Sequence, residues 1–318
     1  TDETFEAMVS TSTVPYYAGL GEYMELGYVP MDKVSTAAST TLEYAYDDWC
    51  IWRFGKAIGK SDAETAQYRK NAGNWRNVID PKHKLANGRY ADGRFRDDFN
   101  PIKWGNGDFV EGNSLHWTWS VVHDVAGLME AMGGRDAFAA ALDDVLARRP
   151  EICESDRRGL YHEMREMMLA DMGQYAHGNE PSHHIIYFYT LAGEPSKAAD
   201  RVRQVYDMMY SDQPDGLSGN EDVGAMSSWY VLSSLGFYQV NPADGRYVFG
   251  SPNVDKAVLN VRDGQFTIIA HNNSKENKYI QSIKLNGQPY NKAWIEFEDI
   301  AKGGTLEYEM GATPACWY

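Results

Sequence analysis

The chain has 318 residues and is 43% hydrophobic, enough for one large domain or two smaller ones with real cores. Thirty Lys and Arg against 45 Asp and Glu leave a net charge of −15. That balance excludes nucleic acid and anionic membrane as partners, because both need a cationic face. No stretch approaches the roughly 20 apolar residues of a membrane span.

Residues 1 to about 240 read as helices separated by polar, Gly- and Pro-marked loops. "STAASTTLEYAYDDWCIWRFGKAIGK" has helical periodicity and ends at Gly59, and "SDAETAQYRKNAGNW" opens with a Ser/Asp cap. "SLHWTWSVVHDVAGLMEAMGG" repeats apolar residues at spacings of three and four and stops at a Gly pair; "DAFAAALDDVLARR" is amphipathic and stops before Pro150. "PSHHIIYFYTLAG" places Pro181 near a first turn and ends at Gly193; "PSKAADRVRQVYDMMY" and "AMSSWYVLSSLGFY" complete the set. After about residue 243 the character changes. "RYVFG", "KAVLNV", "QFTIIAH", "YIQSIKLNG", "AWIEFED" and "GTLEYEM" are short and β-rich, and "LNGQPY" reads as a turn between strands.

The expected architecture is therefore mainly α followed by β: a helical part over 1–242 and a strand tail over 243–318. Paired helices joined by loops suggest an (α/α)6 toroid with a deep acidic site at one end. The helices read here are too few to close a toroid, and the tail strands too few for a full β-sandwich. Cys50, Cys153 and Cys316 have no metal-ligand spacing and allow at most one disulfide, Cys50 reading as a buried thiol. No signal peptide is visible at "TDETFEAMVS"; an exported protein would already have lost it.

Three loops share one grammar: Gly and Asn with an acid, then a helix. Glu111 lies in "WGNGDFVEGNSLHW", Glu180 in "AHGNEPSHH", and Glu221 and Asp222 in "GLSGNEDVGAM". Each alone is explained by an acid favouring a helix dipole. Three repeats in one helical region point to a shared acidic site. Two carboxylates on opposite walls are the equipment of a glycosidase, one kept protonated by burial as acid, the other ionised as base or nucleophile. A third acid with Asn amides suits calcium, which takes oxygen ligands. Zinc is disfavoured, since "HEMRE" lacks the second His of HExxH and His183 and His184 are adjacent. No GxSxG elbow occurs, and "GNGDF" lacks the context of a nucleotide loop.

"VEGNSLHWTWSVVHDVAGLMEAMGG", "HGNEPSHHIIYFY" and "GLSGNEDVGAMSSWYVLSSLGFYQVNP", with "TLEYAYDDWC" and "GGTLEYEMG", resemble glycoside hydrolase family 92, the calcium-dependent inverting exo-α-mannosidases. The resemblance implies a helical toroid packed on a β-sandwich. It implies Glu111 as general acid and Asp222 as general base, with Asn179 and Glu180 in the sugar and calcium region. Many members carry another acid at the position of Asn220, which here would contact sugar as an amide. His162 and Glu163 match the pair that contacts the leaving sugar in members cleaving α-1,2 links. A subset acting on mannose phosphodiesters replaces the acid with an amide, and the retained Glu111 argues against it. The implied partners are mannose-containing glycans, and the implied location is secreted or periplasmic. The chain resembles the C-terminal portion of a member, with the N-terminal sandwich and early toroid helices absent or on a separate chain, and the terminal "ACWY" departs from the family pattern.

Alternatives stand beside these readings. His162 and Glu163 on a solvated helix face, Asn179 and Glu180 as a capped turn, and His123 and Asp124 as structural neighbours are the plain explanations. Asp47 and Asp48 either bind sugar hydroxyls or satisfy buried helix ends. For the whole chain the alternatives are a sugar-binding or structural fragment needing a partner, and another inverting toroid α-glycosidase.

Overall fold

The structure, a computed structural model, describes residues 1–104, 107–149, 151–153 and 161–318. The chain divides into two compact units, Thr1–Ala137 with Glu151–Leu160, and Phe138–Pro150 with Tyr161–Tyr318.

The first unit contains helices α1 (Asp2–Thr11), α2 (Leu20–Leu26), α3 (Ala37–Ala57) and α4 (Asp62–Asn71), the short strands β1 (Ile79–Asp80) and β2 (Leu85–Ala86), and helices α5 (Ser114–Trp117) and α6 (Val125–Met132). Ala38, Leu42 and Ala45 of α3 are buried at helical spacing. The helix ends with Ile58 as its cap, and Gly59 then takes a φ of 86°. Helix α4 opens on a Ser61–Glu64 capping box, so the Ser/Asp start read in the sequence is the actual one.

The apolar run after Ser114 is not one helix. It forms α5, a 3-10 turn over Thr118–Ser120, and then α6 with Asp124 as its N-cap. Asp124 accepts from the Gly127 N–H and pairs with Arg76 at 2.8 Å, while His123 Nε2 contacts the Ala72 carbonyl at 2.9 Å. These residues lie at a helix start, and their bonds are structural. The break follows from Asp124, whose side chain satisfies an N-terminal donor only where a helix begins. Gly133 and Gly134 end α6 with φ of 106° and 105°.

Helix α7 (Arg135–Ala147) holds the division between the units. The second unit continues with α8 (His162–Ala170), α9 (Phe188–Leu191), α10 (Pro195–Met209) and α11 (Ala225–Ser234). Helix α10 starts on Pro195 and buries Ala198, Val202, Val205, Tyr206 and Met209 along one face. "PSHHIIYFYTLAG" winds as two 3-10 turns, Glu180–Ser182 and Ile185–Tyr187, before α9.

Strands β3 (Phe237–Tyr238), β4 (Arg246–Phe249), β5 (Lys256–Val261), β6 (Gly264–His271), β7 (Tyr279–Leu285), β8 (Gln288–Pro289), β9 (Trp294–Glu296) and β10 (Gly304–Gly311) follow, with the one-turn helix α12 (Phe297–Ala301) before β10. They form a five-stranded sheet, β5-β6-β10-β7-β8, and a three-stranded sheet, β3-β4-β9. All pairings are antiparallel except β6 with β10. Phe237, Phe249 and Ile295 from the smaller sheet and Phe266, Ile268, Ile283, Leu306 and Tyr308 from the larger share one core. Ile280 and Ile283 of β7 are both buried although three residues apart. The pairing of β7 with β10 shifts between Glu309 and Met310, and this bulge turns both side chains to the same face.

Candidate active site

Glu111 is placed by the first unit. Its loop is tied to the start of α3: the Asp108 carbonyl accepts from the Ala38 and Ser39 N–H groups, and the Thr36 N–H donates to the Gly107 carbonyl. The Asp108 carboxylate is fully buried and accepts two bonds from Arg96, at 2.7 and 2.8 Å. Gly88 is required beneath it, since a Cβ there would stand 2.4 Å from Asp108 Oδ1. On the other side Asn113 caps α5, with His116 Nδ1 returning a bond to the Asn113 N–H at 3.2 Å. Between these two anchors Glu111 is exposed and has a φ of 43°. A non-glycine residue in that region costs about 1–3 kcal/mol and persists only where its surroundings hold it. The burial expected to keep this acid protonated is not supplied by the described residues around it.

The second unit gathers most of the other predicted residues. In α8, His162 stands 3.0 Å from Glu163 through Nε2 and 3.1 Å from Glu166 through Nδ1. Asn220 Nδ2 approaches His162 Nε2 at 3.4 Å, and Ser218 Oγ approaches Glu166 Oε2 at 3.5 Å. Glu163 is buried, and its Oε2 finds no hydrogen-bond partner among the described residues. A fully solvated helix face would not bury this carboxylate, and its Oε2 is a polar atom for which the described residues supply no hydrogen bond. Glu166 and Ser218 were missed in the sequence, although "HEMRE" itself puts His162 and Glu166 one helical turn apart.

The loop carrying Asn179 and Glu180 lies against the loop carrying Asn220 and Asp222. A Cβ on Gly219 would stand 2.4 Å from the Gly178 carbonyl oxygen, so the two backbones meet without side chains between them. Asn179 is buried and precedes the 3-10 turn that Glu180 opens. Burial pushes the Tyr238 hydroxyl up to about 12, and the Glu180 carboxylate adds to this. Among the described residues no cluster of three or more His, Cys, Asp or Glu side chains is arranged to hold a metal ion.

Glu221 and Asp222 have different surroundings. The Glu221 carboxylate turns back to accept from the Ser227 N–H at 3.1 Å and the Ser227 hydroxyl at 2.8 Å, in the first turn of α11. It serves the helix start. Asp222, Val223 and Gly224 follow with φ of 45°, 57° and 93°, three left-handed residues in a row, and Asp222 is exposed. The field of Asp222 reaches His183, opposing the burial that pushes that imidazole down to about 4.

Behind both loops is a buried aromatic set centred on His177, which the sequence reading passed over. His177 Nδ1 stands 2.8 Å from the Tyr175 hydroxyl and Nε2 2.8 Å from the Tyr210 hydroxyl. His183 Nε2 reaches the His177 carbonyl at 3.0 Å, and Trp229 Nε1 donates to the His183 carbonyl at 3.0 Å. Trp229 also meets His177 edge-on, ring centres 4.4 Å apart.

Asp48, in the first unit, is also buried. It accepts from the Tyr23 hydroxyl at 2.8 Å, and burial pushes its carboxyl up to about 7. With Asp47, Tyr23 and Tyr44 it lines a cavity of about 830 Å³. All three cysteines are free thiols, and Cys50 is half-buried.

Among known proteins, an α-mannosidase of family 92 from Bacteroides thetaiotaomicron, solved in complex with mannoimidazole, superposes with a TM-score of 0.90 at 34% identity, over 99% of this chain and 41% of that one. An inverting mannosidase of the same family and organism superposes with a TM-score of 0.86 at 39% identity, over 98% of this chain and 43% of that one. An uncharacterised secreted glycosidase of Arthroderma benhamiae is 27% identical over 99% of this chain and 43% of its own length. The chain thus spans about two fifths of the length of these relatives. The catalytic domain of glycosyl hydrolase family 92 matches residues 1–312, and the chain belongs to that family.

Proposed function

We propose that the chain carries the catalytic residues of an inverting exo-α-mannosidase acting on α-1,2-linked, mannose-rich glycans. One observation carries this reading: both carboxylates that the motifs single out, Glu111 and Asp222, are present, and each is exposed on left-handed backbone just ahead of a helix. In this reading Glu111 protonates the leaving oxygen, and Asp222 takes a proton from the water that attacks the anomeric carbon from the opposite face. His162, Glu163 and Asn220 bind sugar, the buried Glu163 Oε2 accepting from a hydroxyl of the leaving residue.

The donor set near Asn179 and Glu180 suits calcium. Asn179 and Glu180 offer an amide and a carboxylate side by side, and calcium takes such oxygen ligands where zinc takes nitrogen and sulfur. Asn179 and Glu180 are the proposed protein ligands, and bound calcium would supply a hard positive charge to sugar hydroxyls. Asn179 is held by its buried position ahead of the 3-10 turn, and Glu180 opens that turn.

The proposed architecture is part of an (α/α)6 toroid over 1–242 with a strand portion of a sandwich over 243–318. The proposed partners are mannose-containing glycans and the remaining portion of a family member, joined to this chain or separate from it. The proposed location is secreted or periplasmic, and the secreted relative supports the first of these; among the described residues no helix is long and apolar enough to cross a membrane. A panel of aryl α-glycosides, assayed with this chain, tests the function. Release from the mannoside and not from the glucoside is the expected result; the reverse preference would assign another inverting α-glycosidase.

A further inference from the structure

The hydrogen-bond chain through His177 has only one consistent direction. The Tyr210 hydroxyl lies 3.1 Å from the Met226 carbonyl, which can only accept, so the single Tyr210 proton goes there. Tyr210 oxygen then accepts from His177, which makes Nε2 the protonated ring nitrogen. Nδ1 is left as an acceptor, and the Tyr175 hydroxyl donates to it. The order is Tyr175 O–H to Nδ1, Nε2–H to Tyr210, and Tyr210 O–H to the Met226 carbonyl. Each polar group in this hydrogen-bond network then has a partner, and reversing the network turns the Tyr175 proton away from His177 Nδ1.

The chain links three segments far apart in sequence. His177 is followed directly by Gly178, Asn179 and Glu180. Tyr210 closes α10, and Met226 is in the first turn of α11, four residues after Asp222. A second tie runs beside it, from the His177 carbonyl through the His183 ring and carbonyl to Trp229. Asp222 itself stands on three consecutive left-handed residues, a conformation that relaxes unless its helix is held from behind.

We propose that His177 is a positioning residue: through Tyr210 and Met226 it sets the Asp222 loop against the Asn179–Glu180 loop. The rings it touches are those of Tyr175, His183, Tyr210 and Trp229, with no carboxylate among them and one other imidazole, His183. The bonds at the two His177 ring nitrogens hold it in one tautomer. The activity arm of this proposal rests on the mannosidase reading; the tautomer does not.

Tyr210→Phe tests the link. It keeps the ring stacked on Trp229, 5.8 Å away and inclined by 4°, and removes only the hydroxyl. The expected loss is about 10²-fold in kcat with KM within about twofold, because a displaced base loses transition-state geometry and not ground-state binding. His177→Phe should show the same loss, and the double variant no more than either alone. His177→Gln, which offers both an acceptor and a donor, should recover part of it. Additive losses, or a kcat unchanged in Tyr210→Phe, would overturn the proposal. Where His177→Phe does not fold, Tyr210→Phe and ¹⁵N NMR of the parent ring decide. An Nε2–H tautomer is expected, and an Nδ1–H ring overturns the hydrogen-bond order. If the parent hydrolyses no mannoside but shows the Nε2–H tautomer, the functional reading fails and the positioning network stands.

Discussion

Gly178 packs so closely on Glu166 that a Cβ added to the glycine would stand 1.8 Å from Glu166 Oε2. The glycine belongs to the loop of Asn179, and the glutamate to the helix of His162 and Glu163. Their contact is therefore what seats the proposed calcium loop on the proposed sugar-binding helix. Gly219 makes a second close approach, where an added Cβ would stand 2.4 Å from the Gly178 carbonyl oxygen, and has a φ of 72°.

The two glycines should fail differently. In Gly178→Ala the methyl meets the end of a flexible side chain, and Glu166 moves aside at the expense of its contact with His162. Activity should fall at least tenfold, with about 1–3 kcal/mol of stability lost. In Gly219→Ala the methyl meets backbone and the φ is unfavourable, so the stability loss should be the larger of the two. Thermal unfolding of both variants checks the order. Equal stability with unchanged activity would show that the loops do not meet this way.

Glu111→Gln should separate substrates by leaving group. An amide cannot donate the proton that a sugar leaving group needs, so activity on α-1,2-mannobiose should fall by about 10²–10⁴-fold. An aryl mannoside with an acidic phenol needs little help and should lose far less. The product released by the parent should be β-mannose, because water attacks opposite the leaving oxygen. α-Mannose as the first product in an NMR time course would remove Asp222 from the role of base.

EGTA should abolish activity, and added Ca²⁺ should restore it. Asn179→Ala should raise the calcium concentration needed for half-activity, because a lost oxygen ligand weakens the site without removing acid or base. Full turnover after exhaustive chelation would take the ion out of the reaction.

Asp48 predicts a pH dependence of stability. Its folded carboxyl titrates at about 7, pushed up by burial, against 3.8 for an ordinary aspartate. Between these values the native state holds a proton that the unfolded chain has released. Stability therefore falls as pH rises through that window, by about 4 kcal/mol at most. Asp48→Asn keeps an oxygen for the Tyr23 hydroxyl and removes the charge. The variant should be the more stable protein at pH 7.5 and should lose this slope in urea unfolding. An unchanged slope would mean that Asp48 ionises freely in the fold.

Local chemistry was legible in the sequence wherever neighbours in the chain decide it. The Ser61 capping box, the Pro195 start of α10 and the Gly133–Gly134 stop are where the residues put them. So is the "LNGQPY" turn, where Asn286 and Gly287 take φ of 53° and 76°, as a two-residue hairpin turn demands. Features set by distant partners were not legible. The helical period from Ser114 onwards hid the break at Asp124, whose partner Arg76 is 48 residues away. The paired burial of Ile280 and Ile283 depends on a bulge against β10. His177 looks like any loop histidine until Tyr175, Tyr210 and Trp229 close around it. The acid pair at 221–222 was ambiguous for a different reason. The two acids part only in the fold: Glu221 serves the helix start, and Asp222 is turned out by left-handed backbone.

The linkage preference rests on His162 and Glu163, and a double variant to Ala tests it. The pair is held from one side by Glu166 and approached from the other by Asn220, and Glu163 Oε2 is buried without a partner among the described residues. If that oxygen and His162 bind the leaving mannose, they matter only when a second sugar is present. The double variant should then lose about 10²-fold or more in kcat/KM on α-1,2-mannobiose, roughly 2.7 kcal/mol of transition-state binding. An aryl mannoside never reaches these groups and should be turned over nearly as before. Stability offers a second readout: removing a buried, unsatisfied carboxylate oxygen should cost little or stabilise, whereas removing a structural ion pair should destabilise. Equal loss on both substrates together with a lower melting temperature would mean that the pair supports the fold, and the α-1,2 assignment would have no basis.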